Sequence, residues 1–127
     1  MANTNRTEDK GFRKLLVWQK AHELTLQVYR HTENFPKHEI YGLTSQLRRA
    51  SSSVPANLAE GFALESDAQF ARHQKIAQGS LAEVEYFLIL AKDLQYLTPE
   101  AYASLDSLRR ETGYLLHRLL TTVQKRL

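Results

Sequence analysis

Residues 66–99 read SDAQFARHQKIAQGSLAEVEYFLILAKDLQYLTP, and this stretch decides the fold. Ser66-Asp67-Ala68-Gln69 has the spacing of a capping box, in which Ser66 and Gln69 satisfy free amides reciprocally at a helix start. Phe70, Ala77, Leu81, Val84, Leu88 and Ala91 then keep a three-four rhythm, the period of a helix with one apolar face. That helix is predicted to end near Tyr96. Thr98-Pro99-Glu100 opens the next, with Thr98 as N-cap and Pro99 at the first helical position. Leu105, Leu108, Leu115, Leu119 and Val123 carry its predicted inner face. About 30 residues each, at roughly 1.5 Å per residue, would make these two helices rods of about 45 Å.

The same period extends toward the N-terminus. A first helix is predicted from about Leu16 to Thr32, with Leu15, Trp18, His22, Leu26 and Tyr29 on one face and Val17, Ala21, Leu24 and Val28 on the next. Pro36 ends it, because a residue before proline disfavours the helical region. A second helix is predicted from about Glu39 to Phe62, with Leu43, Leu47, Ala50, Val54 and Leu58 as its inner stripe. Pro55 lies mid-helix and cannot donate to the Ser51 carbonyl, so a kink is expected there, eased by the hydroxyls of Ser51 or Ser52. The stripe stays in phase across the proline, which keeps it one helix. Gly61 is read as its terminator. β-branched residues never cluster, which argues against strands. Short connections between long helices imply antiparallel neighbours. The fold class read from the sequence is therefore all-α, an up-down-up-down four-helix bundle over residues 13–127, preceded by a flexible tail at residues 1–12.

Composition narrows the function. The chain has 127 residues and no cysteine, which excludes disulfide scaffolds, thiolate nucleophiles and Cys-type zinc sites. The first ten residues are polar and the longest apolar run is Tyr86 to Ala91, so a cytoplasmic protein without signal peptide or membrane span is expected. No Glu-x-x-His pair exists among His22, His31, His38, His73 and His117, and no P-loop, GxSxG or HExxH motif occurs. His22 falls on an apolar face and reads as a core residue; His31, His38 and His117 read as surface residues. Ser51-Ser52-Ser53 has no histidine at helical reach, and Glu83 and Glu85 point to different faces. No enzyme activity, metal or cofactor is expected.

Charge is uneven within a net +3. Arg109, Arg110, Arg118, Lys125 and Arg126 stand against Glu111 alone, which suits a polyanionic partner or simply the negative end of the last helix dipole. Between Ile40 and Phe62 only Arg48, Arg49 and Glu60 are charged, about half the chain-wide fraction of 24%. Ser45, Ser52, Ala56 and Ala59 lie opposite the inner stripe there, and Gly79-Ser80 leaves a flat spot on the third helix. Such faces fit contact with a second subunit, or a weakly polar exposed surface. Between them lies a polar stripe of Gln46, Arg49, Ser53, Asn57 and Glu60. If buried, it must be hydrogen-bonded internally or to Glu83, with Arg49 pairing Glu60 or Glu83. It reads as a network fixing helix register, with a ligand or catalytic role as the other reading.

One further pattern runs through these segments. Val17-Trp18-Gln19-Lys20-Ala21, Tyr29, Phe35-Pro36, Glu39, Gly42-Leu43, Gln46-Leu47-Arg48-Arg49-Ala50, Ser53-Val54-Pro55-Ala56-Asn57-Leu58-Ala59-Glu60-Gly61 and Ile76-Ala77-Gln78-Gly79-Ser80-Leu81 with Glu83 resemble the signature of the 23S rRNA-intervening sequence proteins. The resemblance spans about Phe12 to the C-terminus. It implies an antiparallel four-helix bundle assembling as a homopentameric ring. A related branch, the accessory variability determinants of diversity-generating retroelements, binds nucleic acid and a reverse transcriptase through a basic pentameric surface. The function expected from residues and resemblance together is a non-enzymatic homo-oligomer that binds RNA or DNA backbone. Arg109, Arg110, Arg118, Lys125 and Arg126 are its candidate contacts, with Arg48 and Lys20 added. The alternative is a scaffold that docks a partner protein without touching nucleic acid.

Overall fold

The structure, a computed structural model, describes residues 11–127. Four helices carry it: α1 Leu16–Thr32, α2 Leu43–Ala63, α3 Asp67–Asp93 and α4 Pro99–Gln124. Single 3-10 turns at Phe12–Lys14 and Lys37–Glu39 precede α1 and α2. Among the described residues there is no strand, and no helix is long and apolar enough to cross a membrane. Residues 1–10 of the expected tail lie outside the described residues. Phe12, also placed in that tail, begins the first 3-10 turn and packs edge-on against Trp18.

Consecutive helices are neighbours, and α4 closes the bundle against α1. Contacts between neighbours run in opposite sequence directions. Ser53 meets Ser80 while Asn57 meets His73, and Arg109 meets Glu85 while Arg126 meets Asp67. The core lies where the four apolar faces converge, and it contains every residue of the predicted α2 and α3 inner stripes. In α4 the inner line is Leu105, Thr112, Leu116, Leu120 and Val123. Leu108, Leu115 and Leu119 are only half-buried, so the face is turned by one residue from the sequence reading. Thr112 is tolerated on this inner line because its hydroxyl donates to the Leu108 carbonyl at 2.7 Å, so a polar residue occupies a core position without an unpaired group. In α1 the Val17, Ala21, Leu24 and Val28 face goes inward and leaves Leu26 and Tyr29 exposed.

Helix ends follow local chemistry. Ser66 accepts from the Gln69 amide at 3.3 Å and Thr98 from the Ala101 amide at 3.1 Å, while the reciprocal bond of the expected capping box, from the Ser66 amide to the Gln69 side chain, does not form. The second helix starts at Leu43, four residues later than expected. Glu39 is the reason: its carboxylate accepts from the Leu43 amide at 3.0 Å and from the Tyr96 hydroxyl at 2.9 Å. These two bonds hold that carboxyl below its ordinary range and raise the Tyr96 phenol above its own. A Cβ at Gly42 would sit 2.5 Å from the Glu39 carboxylate, so glycine admits this cap. The α3 helix stops at Asp93 rather than near Tyr96, because Gln95 takes a left-handed φ of 64°.

Pro55 does not break α2, which continues to Ala63. The carbonyl freed by the missing N–H belongs to fully buried Ser51, and Thr25 of α1 donates to it at 3.0 Å. The Thr25 hydroxyl is also 3.0 Å from the Ala21 carbonyl and shares its proton between the two. Relief thus comes from a neighbouring helix, not from Ser51 or Ser52, whose hydroxyls turn to Arg48 and Arg49 carbonyls. Gly61 does not terminate the helix either. A Cβ there would lie 2.7 Å from the His73 Cβ, so this glycine permits close approach of α2 to α3.

Candidate nucleic-acid interface

Two sets of polar residues stand out, a seam between α2 and α3 and the outward face of α4. In the seam, Arg49 reaches Glu83 at 2.9 Å and Gln46 at 3.2 Å. Deeper in, the Ser53 and Ser80 hydroxyls are 2.8 Å apart, and the Asn57 amide nitrogen donates to the Ser53 carbonyl at 2.9 Å. Because Asn57 spends its NH₂ there, its oxygen faces His73 Nδ1 at 3.0 Å and accepts from it. The other ring nitrogen lies 3.9 Å from the Glu60 carboxylate. Four of the five residues of the expected stripe, Gln46, Arg49, Ser53 and Asn57, are hydrogen-bonded in the seam together with Glu83, while Glu60 lies at its edge without a hydrogen bond among the described residues. The ion pair forms with Glu83, not Glu60.

His73 was not expected in this seam, although its place one turn past Phe70 on the buried face was legible. Ser80, nominated for an outer contact face, is buried in the seam. Ser45, Ala56 and Gly79 are exposed and Ser52 and Ala59 half-buried, on the outer side of α2 and α3. His22, read as a core residue, is exposed and stacks on Trp18 at 5.0 Å, because α1 turns its Val17–Leu24 face inward instead.

The nominated cations divide sharply. Arg109 is mostly covered, held by Asp106 at 2.7 Å and Glu85 at 3.6 Å. Arg126 binds both oxygens of Asp67, which holds that carboxyl below its usual range and the guanidinium above its own. Lys20 pairs with Glu111 at 2.9 Å, and the hydrogen bond raises its pKa. Arg48 donates to Thr32 at 2.8 Å and lies over the Tyr29 ring, on the far side of the bundle. Three cations remain open to an external ligand. Arg110 is 67% exposed and only 3.5 Å from Asp106, which it shares with Arg109. Arg118 lies 5.7 Å over the exposed Tyr114 ring, and exposed Lys125 has no carboxylate partner among the described residues.

A family model for the 23S rRNA-intervening sequence protein matches residues 13–118. The chain belongs to that family. Solved structures include a protein of unknown function from the S23 ribosomal protein family of Bacteroides thetaiotaomicron VPI-5482, at 27% identity and a TM-score of 0.74. The match covers 83% of this intervening-sequence protein and 98% of the other chain. No curated protein matches it. The match confirms the family read from the α2 and α3 motifs. Most residues of those motifs now have a mechanical role in the bundle: Pro55 with Thr25, Asn57 with His73, Gly61 against α3, Gly42 with Glu39.

Proposed function

We propose that this intervening-sequence protein is a non-enzymatic cytoplasmic module that self-associates and binds nucleic-acid backbone. The observation that carries the binding reading is the outer face of α4, where Arg110, Arg118 and Lys125 are exposed within one sector. Among the described residues the carboxylates beside them are Glu111, engaged by Lys20 at 2.9 Å, and Asp106, which binds Arg109 at 2.7 Å and Arg110 more loosely at 3.5 Å. Phosphate contacts by such cations are additive and independent of sequence. Self-association is supported by the charge-poor outer face of Ser45, Ser52, Ala56, Ala59 and Gly79, flanked by exposed Ile76 and Tyr86. α2 sits diagonally across the bundle from α4, so contact through the α2 side leaves the basic face open. A ring of five, implied by the family resemblance, would repeat three open cations around the assembly. A second reading, docking of a partner protein without nucleic acid, is favoured by the internal pairing of Arg109, Arg126 and Lys20.

Light scattering combined with anisotropy of a labelled structured RNA and a matched DNA duplex tests both parts. The wild type should be oligomeric, and three phosphates per chain should give a log–log salt slope of about −2 to −3. Arg110→Glu, Arg118→Glu and Lys125→Glu together should abolish binding with the mass unchanged. Ala56→Arg should lower the mass. Absence of binding by an intact oligomer at low salt refutes the nucleic-acid reading in favour of protein docking. A monomer at all concentrations refutes self-association.

A further inference from the structure

The outer face of α4 carries more than cations. At 100° per residue, Arg110, Tyr114, His117, Arg118, Thr121 and Lys125 fall within a sector of about 100°. All six are exposed, Tyr114 by 62%. From Arg110 to Lys125 the stripe runs about 22 Å at roughly 1.5 Å per residue, and two planar rings, Tyr114 and His117, lie between the cations Arg110 and Arg118. A helix binding only phosphates gains nothing from an exposed tyrosine, whose ring costs solvation and offers a stacking surface instead. The Arg118 guanidinium over that ring extends the surface to a second planar group. Beside it, between the start of α1 and α4, runs a shallow groove of about 230 Å³ walled by Leu15, Leu16, Leu115, Leu119, Arg118 and Thr122. An apolar wall next to a cation suits an unpaired base more than a phosphate.

Resting on the nucleic-acid reading above, we propose that this stripe selects single-stranded over duplex nucleic acid, with Tyr114 stacking on an unpaired base and Arg110, Arg118 and Lys125 tracking the backbone. Duplex bases are already stacked on each other and cannot reach Tyr114, whereas every base of a single strand has a free face. At about 3.4 Å per nucleotide the stripe covers roughly six nucleotides. Charge alone would treat strand and duplex alike or favour the denser duplex. The ring is what reverses the preference.

The test is anisotropy at fixed low salt with a labelled thymidine oligonucleotide of about twelve nucleotides, a duplex of equal length, and unlabelled anionic phospholipid vesicles as competitor. The wild type should bind the strand more tightly than the duplex. Tyr114→Ala should weaken strand binding about 5- to 100-fold while duplex binding holds, and Tyr114→Phe should restore it. Arg118→Glu should weaken both probes. Tyr114 is exposed, so its variants keep the fold, which circular dichroism checks. Equal binding of strand and duplex with Tyr114→Ala silent overturns the stacking proposal while leaving backbone binding standing. Binding of neither probe by the wild type removes both. Vesicles that displace the strand at matched charge also overturn it, since a lipid surface would then be an equal ligand.

Discussion

Replacing Thr25 by valine keeps shape and removes one hydroxyl, and the structure says what that hydroxyl does. Pro55 has no N–H, so the carbonyl of Ser51 has no intrahelical donor, and Ser51 is fully buried. Thr25 supplies the missing proton from α1 at 3.0 Å. Without it a buried carbonyl stands unpaired, which costs about 1–3 kcal/mol. With a urea m-value of about 1–3 kcal/mol/M, Thr25→Val should lower the unfolding midpoint by roughly 1 M. The decisive measurement is a double-mutant cycle with Pro55→Ala, at one protein concentration so that assembly is held constant. Alanine at 55 restores an N–H four residues after Ser51, so Thr25→Val should then cost under about 0.5 kcal/mol. The coupling expected is about 1 kcal/mol or more. Equal costs in the two backgrounds would show that Thr25 does not complete the proline-broken turn.

Two further outcomes follow from named groups. Gln74 is 0% exposed and neither atom of its side-chain amide meets a protein partner, so Gln74→Met, near in volume and apolar, should raise stability by about 1–3 kcal/mol in urea unfolding. A lower midpoint would refute the cost assigned to that amide. Glu39 and Asp67 both have carboxyl pKa values lowered by their partners, so the folded state releases their protons more readily than the unfolded chain. Their contribution is whole above the ordinary carboxylate value of about 4 and is lost as pH falls through the lowered folded values. The urea midpoint should drop in that acid window, and Glu39→Gln with Asp67→Asn should flatten the drop; an unaltered acid profile in the double variant contradicts it.

Much of the architecture was legible because it is local. Capping at Ser66 and Thr98, the proline stop at Pro36 and the rhythm of α2 and α3 each involve residues within a turn or two of one another, so neighbouring side chains suffice to decide them. The α2 polar stripe was legible for the same reason, since five polar residues at helical spacing must share a face. What failed were statements about which half of a face goes inward. In α4 the leucines at 115, 116, 119 and 120 make two apolar lines a residue apart, and only the positions of α1 and α3 choose between them. The cation cluster failed for a related reason: Arg109, Arg126 and Lys20 meet carboxylates on other elements or a turn away, and net charge along the chain cannot reveal that pairing.

The sequence by itself determined four helices, the N-caps at Ser66 and Thr98 and the family, because apolar period and capping between residues three apart are local to one stretch of chain. Tertiary structure decided the partners across helices: Thr25 for the Ser51 carbonyl, His73 for Asn57, Asp67 for Arg126, and the α4 face left open. Those contacts join residues 16 to 59 positions apart, and their formation depends on how whole helices rotate and approach, which is set by packing all four faces at once.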